Sequence, residues 1–430
     1  LSIAVLVIKT ASMKKTELKV FWVLLTILGI SIQSCLRDQC VEEQTFFRYD
    51  PIYRTLTQIR NSLQIKEPEE LVSPGKIYVY DQYLFIGEQK KGIHIYDNSD
   101  PHHPLQISFI SIEGNQEFAI QNDVLYADNY IDIVALDVSD PRSPKFICRR
   151  ENVYNPFSVD PARGILVDYL KTPETVKMNC NNNNFYRDYF WEGDILYNKR
   201  GGPTTVTNSG GSNINIGGST SRFTVSNNFL YTVDNATLSS FEMINRCLDL
   251  RSGQNIGWNI ETIWALKDKL FVGSQTGMLI FDIKSPSNPV SLGSYNHVRR
   301  CDPVVADEKY AYVTLKGGTT CGGFTNQLDI LDISNLLSPN LILTYPLVSP
   351  VGLSIDGDVL YVCDDAVKIL NVKDRAKVIL ISKIAVANTK DVIAIPGEEH
   401  IIIVGDNGVD QYDVTDKSNP QKLSSITIQH

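Results

Sequence analysis

A phrase of about a dozen residues recurs along this chain: IYDNSDPHHPLQ from Ile95, ALDVSDPRSPKF from Ala135, IFDIKSPSNPVS from Ile280 and QYDVTDKSNPQK from Gln411. ILDISNLLSPNL from Ile330 fits the same frame with one extra residue. A chain that rewrites one phrase at intervals builds one supersecondary unit many times over, and that excludes most single-core folds.

A second signature sets the interval. Pairs of β-patterned runs split by a polar turn begin at Ile77, Phe118, Phe157, Phe223, Ile263, Val304, Leu353 and Val392, so the period is about 40 residues with two longer gaps. Each unit continues with an apolar run that ends near Asp97, Asp137, Glu242, Asp282, Asp332, Asn371 or Asp413, then a Pro-containing turn, then a fourth run such as LQISFISI from Leu105. The third unit blurs this anchor. Four short strands per unit without helical periodicity predict an all-β chain, a β-propeller of eight four-stranded blades, or of seven if the irregular third unit stays out. The recurring phrase then has a local task. Its carboxylate bonds amides two residues on and its proline fixes φ, which makes the tight turn between third and fourth strands. The last unit supplies its own fourth strand from Lys422, so the ring is expected to close chiefly by packing of the first blade against the last.

The N-terminus reads as an address. From Met13 come Lys14, Lys15 and Lys19, an apolar run from Val20 to Ile32, and then Gln33-Ser34-Cys35. That run is too short to span a bilayer, so residues 1–34 are expected to be a signal peptide, with 1–12 lying before the expected start at Met13. Ile32 to Cys35 is similar to a bacterial lipobox, which places lipidation on Cys35, a tether over 35–74 and the propeller over 75–430. The formal charge is −9, with no stripe of Lys and Arg for phosphates, which argues against nucleic acid as a partner.

The phrases GIHIYDNSDPHHP, LYADNYIDIVALDVSDP and TLKGGTTCGGFTNQLDILDIS resemble the LVIVD-repeat β-propeller lipoproteins of Gram-negative bacteria. The resemblance implies a propeller attached to the outer membrane of the cell envelope through its lipid, facing the periplasm or the surface. It implies little chemistry.

Strand order sorts the loops by face. Loops between second and third strands, and connections between units, share one face; the DVSDP turns line the other. The first face collects the irregular features: the loop around Lys316, the connection with Arg299 and Arg300, and GQNIGWNIE with Trp258. An insertion over 180–221 adds Tyr189 and Trp191, then a Gly/Ser/Asn stretch expected to be a mobile loop on that face. Tyr189, Trp191, Trp258, Arg299, Arg300 and Lys316 are the candidate ligand contacts. A disulfide is expected between Cys301 and Cys321, which topology puts on one face of one blade. Cys148, Cys180, Cys247 and Cys363 are expected as buried thiols or, alternatively, as another bridge.

No nucleophile elbow, phosphate loop, dinucleotide fingerprint or zinc-helix motif occurs, and the histidines fall in different units. No metal, cofactor or catalytic residue is assigned. Two function classes remain: a monomeric envelope-anchored module that binds or scaffolds a glycan, peptide or partner protein, and a propeller hydrolase or lyase with carboxylates at the channel mouth.

Overall fold

The computed structural model describes residues 41–156, 158–179, 204–206, 215–296, 303–317 and 326–428. Among them there is one helix, the five-residue turn Leu56–Arg60, started by a Thr55/Gln58 capping box. Everything else regular is antiparallel strand, in eight sheets. The chain divides into two compact units, one of residues 52–168 and 200–430, the other of 1–51 and 169–199.

The larger unit holds the repeats. Seven of the eight sequence units build a meander of four consecutive strands, over residues 74–111, 118–150, 223–255, 260–296, 304–346, 353–384 and 389–427. We call these blades 1, 2, 4, 5, 6, 7 and 8, after their units. The third unit does not make one: its Val159–Asp160 and Gly164–Asn179 pair in a three-stranded sheet with Val41–Arg54. The inner strand of blade 2 meets that of blade 4 directly, and blade 8 meets blade 1, so the ring returns on itself with seven blades. This is the alternative that the irregular third unit left open. The first blade also gains an outer strand, Gln64–Lys66, paired to Leu105–Ser111.

The recurring phrase does what its chemistry predicts. In the turns of blades 1, 2, 7 and 8 two carboxylates or amides each accept a main-chain N–H two residues on, as Asp137 does from Ser139 and Asp140 from Arg142. The turn has a second task that the phrase alone does not reveal. Its main-chain carbonyls are caught by hydroxyls of the preceding blade: Ser108 donates to Pro141 at 2.7 Å, Ser240 to Pro286 at 2.7 Å and Ser382 to Lys417 at 2.6 Å. Blade 4 lacks the phrase and turns instead on Asn245 and Arg246, both at positive φ (49° and 67°), the tight hairpin that such geometry favours. In every blade the pairing of third and fourth strands slips by one residue, a bulge that increases the twist.

Between blades the core is apolar, as in the cluster of Tyr78, Phe85, Phe118, Tyr126 and Phe223. Where the chain leaves the ring after blade 2, a disulfide joins Cys148 on that blade's outer strand to Cys247 on the outer strand of blade 4. These two are therefore a bridge rather than buried thiols. Cys363 is buried and free, and Cys35, Cys180, Cys301 and Cys321 lie outside the described residues.

The bridge spans 99 residues of sequence, and on the chain-entropy model a loop of that length stabilises by about 4 to 5 kcal/mol. Replacing both Cys148 and Cys247 by Ala should lower the urea midpoint of the oxidised protein markedly, and a reductant should then have no further effect at this site. Equal midpoints for wild type and double variant would show that the staple carries no load.

Candidate functional site

In a propeller the first place to look for a site is the central channel, and here the chain itself enters it. The strand Asn215–Thr220, from the stretch expected to be a mobile loop, pairs antiparallel with the inner strand Pro74–Tyr80 of blade 1. It also touches the inner strands of blades 2, 5, 6, 7 and 8, while its partner Thr204–Val206 reaches those of blades 4 and 5. The part described as strand thus lies on the axis rather than on a face. Its glycines fit this position. A Cβ on Gly218 would stand 2.1 Å from Oδ2 of Asp391, and one on Gly352 would stand 2.1 Å from Oδ1 of the same carboxylate.

Asp391, on the inner strand of blade 8, is buried and accepts four hydrogen bonds. They come from Ser219 N–H at 3.2 Å, Ser219 Oγ at 2.9 Å, Thr220 Oγ1 at 2.8 Å and Val392 N–H at 2.9 Å. Ser219 Oγ in turn accepts from Leu353 N–H of blade 7 at 2.6 Å. One residue past the strand, Ser221 Oγ lies 2.5 Å from Nζ of Lys76 and 3.2 Å from Glu117, whose carboxylate is 3.6 Å from Lys76. Lys76 also lies over the rings of Tyr78 and Phe118. The axis of the ring is therefore a buried polar network in which Asp391 and Glu117 are already engaged.

A related pattern on the loop face escaped sequence reasoning. Glu88, Asp128 and Asp364 stand at the ends of the second strands of blades 1, 2 and 7, Asp128 one residue before the last and Asp364 one residue after it. Each accepts two successive main-chain N–H groups from the connection entering its own blade: Val72 and Ser73, Gln116 and Glu117, and Val348 and Ser349. The acidic residue at or next to the end of LFIGE, LYADN and LYVCD was the available signal. These carboxylates hold the entering loops in place.

Among the candidate contacts, Trp258 is 72% exposed in the connection from blade 4 to blade 5. The connection is held on both sides, Ile256 N–H donating to Ala236 O, Ile260 N–H to Asn235 O and Gln275 N–H to Asn259 O. Gly257 and Asn259, at φ 130° and 58°, flank the indole in conformations that few residues adopt. Lys316 is half-buried at the start of its loop in blade 6, a separate blade on the same face. Tyr189, Trp191, Arg299 and Arg300 lie outside the described residues, and among those described no group of His, Cys, Asp and Glu could hold a metal ion.

Residues 74–109, 261–297 and 299–346 match the LVIVD repeat. This is a β-propeller carrying LVIVD repeats. No curated protein matches the sequence. Similar solved structures include a functionally unknown protein from Desulfotomaculum acetoxidans DSM 771, at 11% identity and TM-score 0.51 over 82% of this chain and 95% of that one. The periplasmic gluconolactonase PpgL of Pseudomonas aeruginosa gives 10% identity and TM-score 0.51 over 82% and 96%. At such identities the likeness extends to the fold alone.

The axial network makes a pH prediction. Burial pushes the Asp391 carboxyl up to about 6, against the hydrogen bonds from Thr220, Ser219 and Val392. Desolvation likewise takes Asp128 to about 7, and burial pulls Lys76 down to about 8 in spite of Glu117. A carboxyl raised on folding contributes stability that is complete below its unfolded pKa and is lost as the pH rises through its folded value. The contribution of Lys76, lowered on folding, is present above its unfolded pKa and lost as the pH falls through about 8. The two carboxyls therefore favour the fold at pH 5 over pH 7.5. His400, held low by burial, acts in the opposite sense. Asp391→Asn isolates the axial contribution: its unfolding free energy in urea titrations should gain less than that of wild type between pH 7.5 and 5, by about 1 kcal/mol. An identical pH profile in the two proteins would remove Asp391 from the account.

Proposed function

We propose that this chain is a binding or scaffolding module of the cell envelope, held to the membrane through a lipidated Cys35 and presenting its loop face to a glycan, peptide or partner protein. The observation that carries this is the axial strand. With Asn215–Thr220 paired to blade 1 and tied to Asp391, the channel mouth that a propeller enzyme would use is taken up by the chain's own backbone. What remains on that side are loops on a stiff scaffold, where recognition is usually carried. Trp258 is the contact we place first, because an exposed indole on a main chain held on both sides offers a large flat surface. The Cys148–Cys247 bridge fits an exported chain, since such bonds persist in oxidising compartments.

The purified chain from residue 36 onward, titrated calorimetrically against envelope oligosaccharides and peptides, should bind at least one class without turnover, and Trp258→Ala should weaken that binding roughly tenfold or more. Unchanged affinity in Trp258→Ala would remove the indole from the site, and sustained release of product from any of these ligands would replace the binding module by an enzyme. The anchor has its own test. Radiolabelled fatty acid should enter the wild type and not Cys35→Ala, and equal labelling of both would end that part of the proposal.

A further inference from the structure

Within the smaller unit the described residues form a two-stranded ribbon, from the first part of Val41–Arg54 and the later part of Gly164–Asn179. None of its described side chains is fully buried. Phe47 is 49% and Leu170 58% exposed. On one face Lys171 sits over the aromatic rings, its Nζ 3.9 Å from the centroid of Phe47 and 5.9 Å from that of Tyr49, beside a Thr45–Thr175 hydrogen bond. On the other, Arg48 pairs with both Asp50 and Glu174, so two of the ribbon's carboxylates are neutralised where they stand. A two-stranded ribbon without a covered face is marginal in water. This one shows large apolar side chains on both sides.

We infer that this ribbon is a docking surface for the interfacial zone of a lipid bilayer. The inference rests on the lipidated Cys35 of the proposed function. Five residues separate Cys35 from Val41, and even fully extended the six steps between them reach only about 20 Å. An acylated cysteine therefore holds the start of the ribbon close to the headgroups. The side chains suit that zone: aromatic rings with a lysine ammonium over them on one side and an exposed leucine beside the ribbon's ion pairs on the other. A single acyl chain gives only marginal attachment, and a second contact of this kind is what makes attachment stable. The ribbon would then fix the orientation of the ribbon-bearing segment at the surface, not merely its distance from it.

The experiment replaces the anchor so that the two ideas fail separately. The chain from residue 36 carries an N-terminal hexahistidine in place of the acyl group and is held on phosphatidylcholine vesicles containing phosphatidylglycerol and a nickel-chelating lipid. Hydrogen exchange is followed in residues 44–51 and 169–175, with the same protein and a soluble chelate as reference. The expected result is exchange about tenfold slower on the vesicles. In the double variant Phe47→Ser, Leu170→Ser this protection should disappear, while exchange in the blades stays as in wild type and reports that the fold is intact. Equal exchange on vesicles and in solution would overturn the inference, as would protection that survives in the double variant. Neither outcome bears on lipidation, which the fatty-acid label decides.

Discussion

The structure depends on what crosses the seam between its first and last blades. Each blade is made from four consecutive strands, so no strand is shared across the closure and no main-chain ladder holds the ring shut. The axial strand supplies what is missing. It hydrogen-bonds along Pro74–Tyr80 on one side of the seam and delivers two hydroxyls and an amide to Asp391 on the other. Around it Lys390 donates to Pro74 O, and Asn98 and Gln411 exchange two buried hydrogen bonds, at 3.0 and 2.7 Å. An apolar cluster of Ile77, Val79, Ile86, Ile393, Ile402 and Val404 fills the same junction. Packing, expected as the chief means of closure, is present. The directional bonds are what fix its register, because a slip of one residue would leave a buried carboxylate and two amides unpaired.

This also accounts for the fate of the third unit. Residues between blades 2 and 4 leave the ring, and some of them come back through its axis. Leaving costs continuity at one junction, and the Cys148–Cys247 bridge restores a covalent tie there. Returning gives closure at another. The two junctions are served by the same excursion, so the longest departure from the repeat is the segment on which the regular part relies.

How much of this was legible follows from the range of each interaction. The turns were readable because their chemistry is local: Asp137 bonds an amide two residues away, and the residue types alone announce it. The strands were readable from alternation, and seven of the eight expected meanders formed. The axial strand was not, because Asn-Ile-Gly-Gly-Ser-Thr carries no apolar period and has its partners at Asp391 and Pro74–Tyr80, far along the chain. In isolation such composition reads as a loop. Its glycines were chosen by a carboxylate 173 positions away from Gly218, a distance that no local pattern encodes. The bridge was hidden for the same reason: Cys148 and Cys247 become neighbours only once unit three is removed from the ring. Of the candidate contacts, Trp258 lies on an exposed connection between blades, whereas the carboxylates at Glu88, Asp128 and Asp364 went unread although their positions repeat.

A filled axis changes what a repeat ring can offer a partner. An open channel gathers side chains from every blade around one small ligand, and selection acts on their convergence. When the chain's own backbone takes that place, convergence is spent on closure, and recognition moves outward to loops that belong to one or two blades each. Such loops can differ from unit to unit without disturbing the ring, because Glu88, Asp128 and Asp364 pin the backbone on which they stand rather than the side chains they present. On the proposed reading, specificity lies where the repeat is least regular, and the repeated geometry serves to hold those irregular places still.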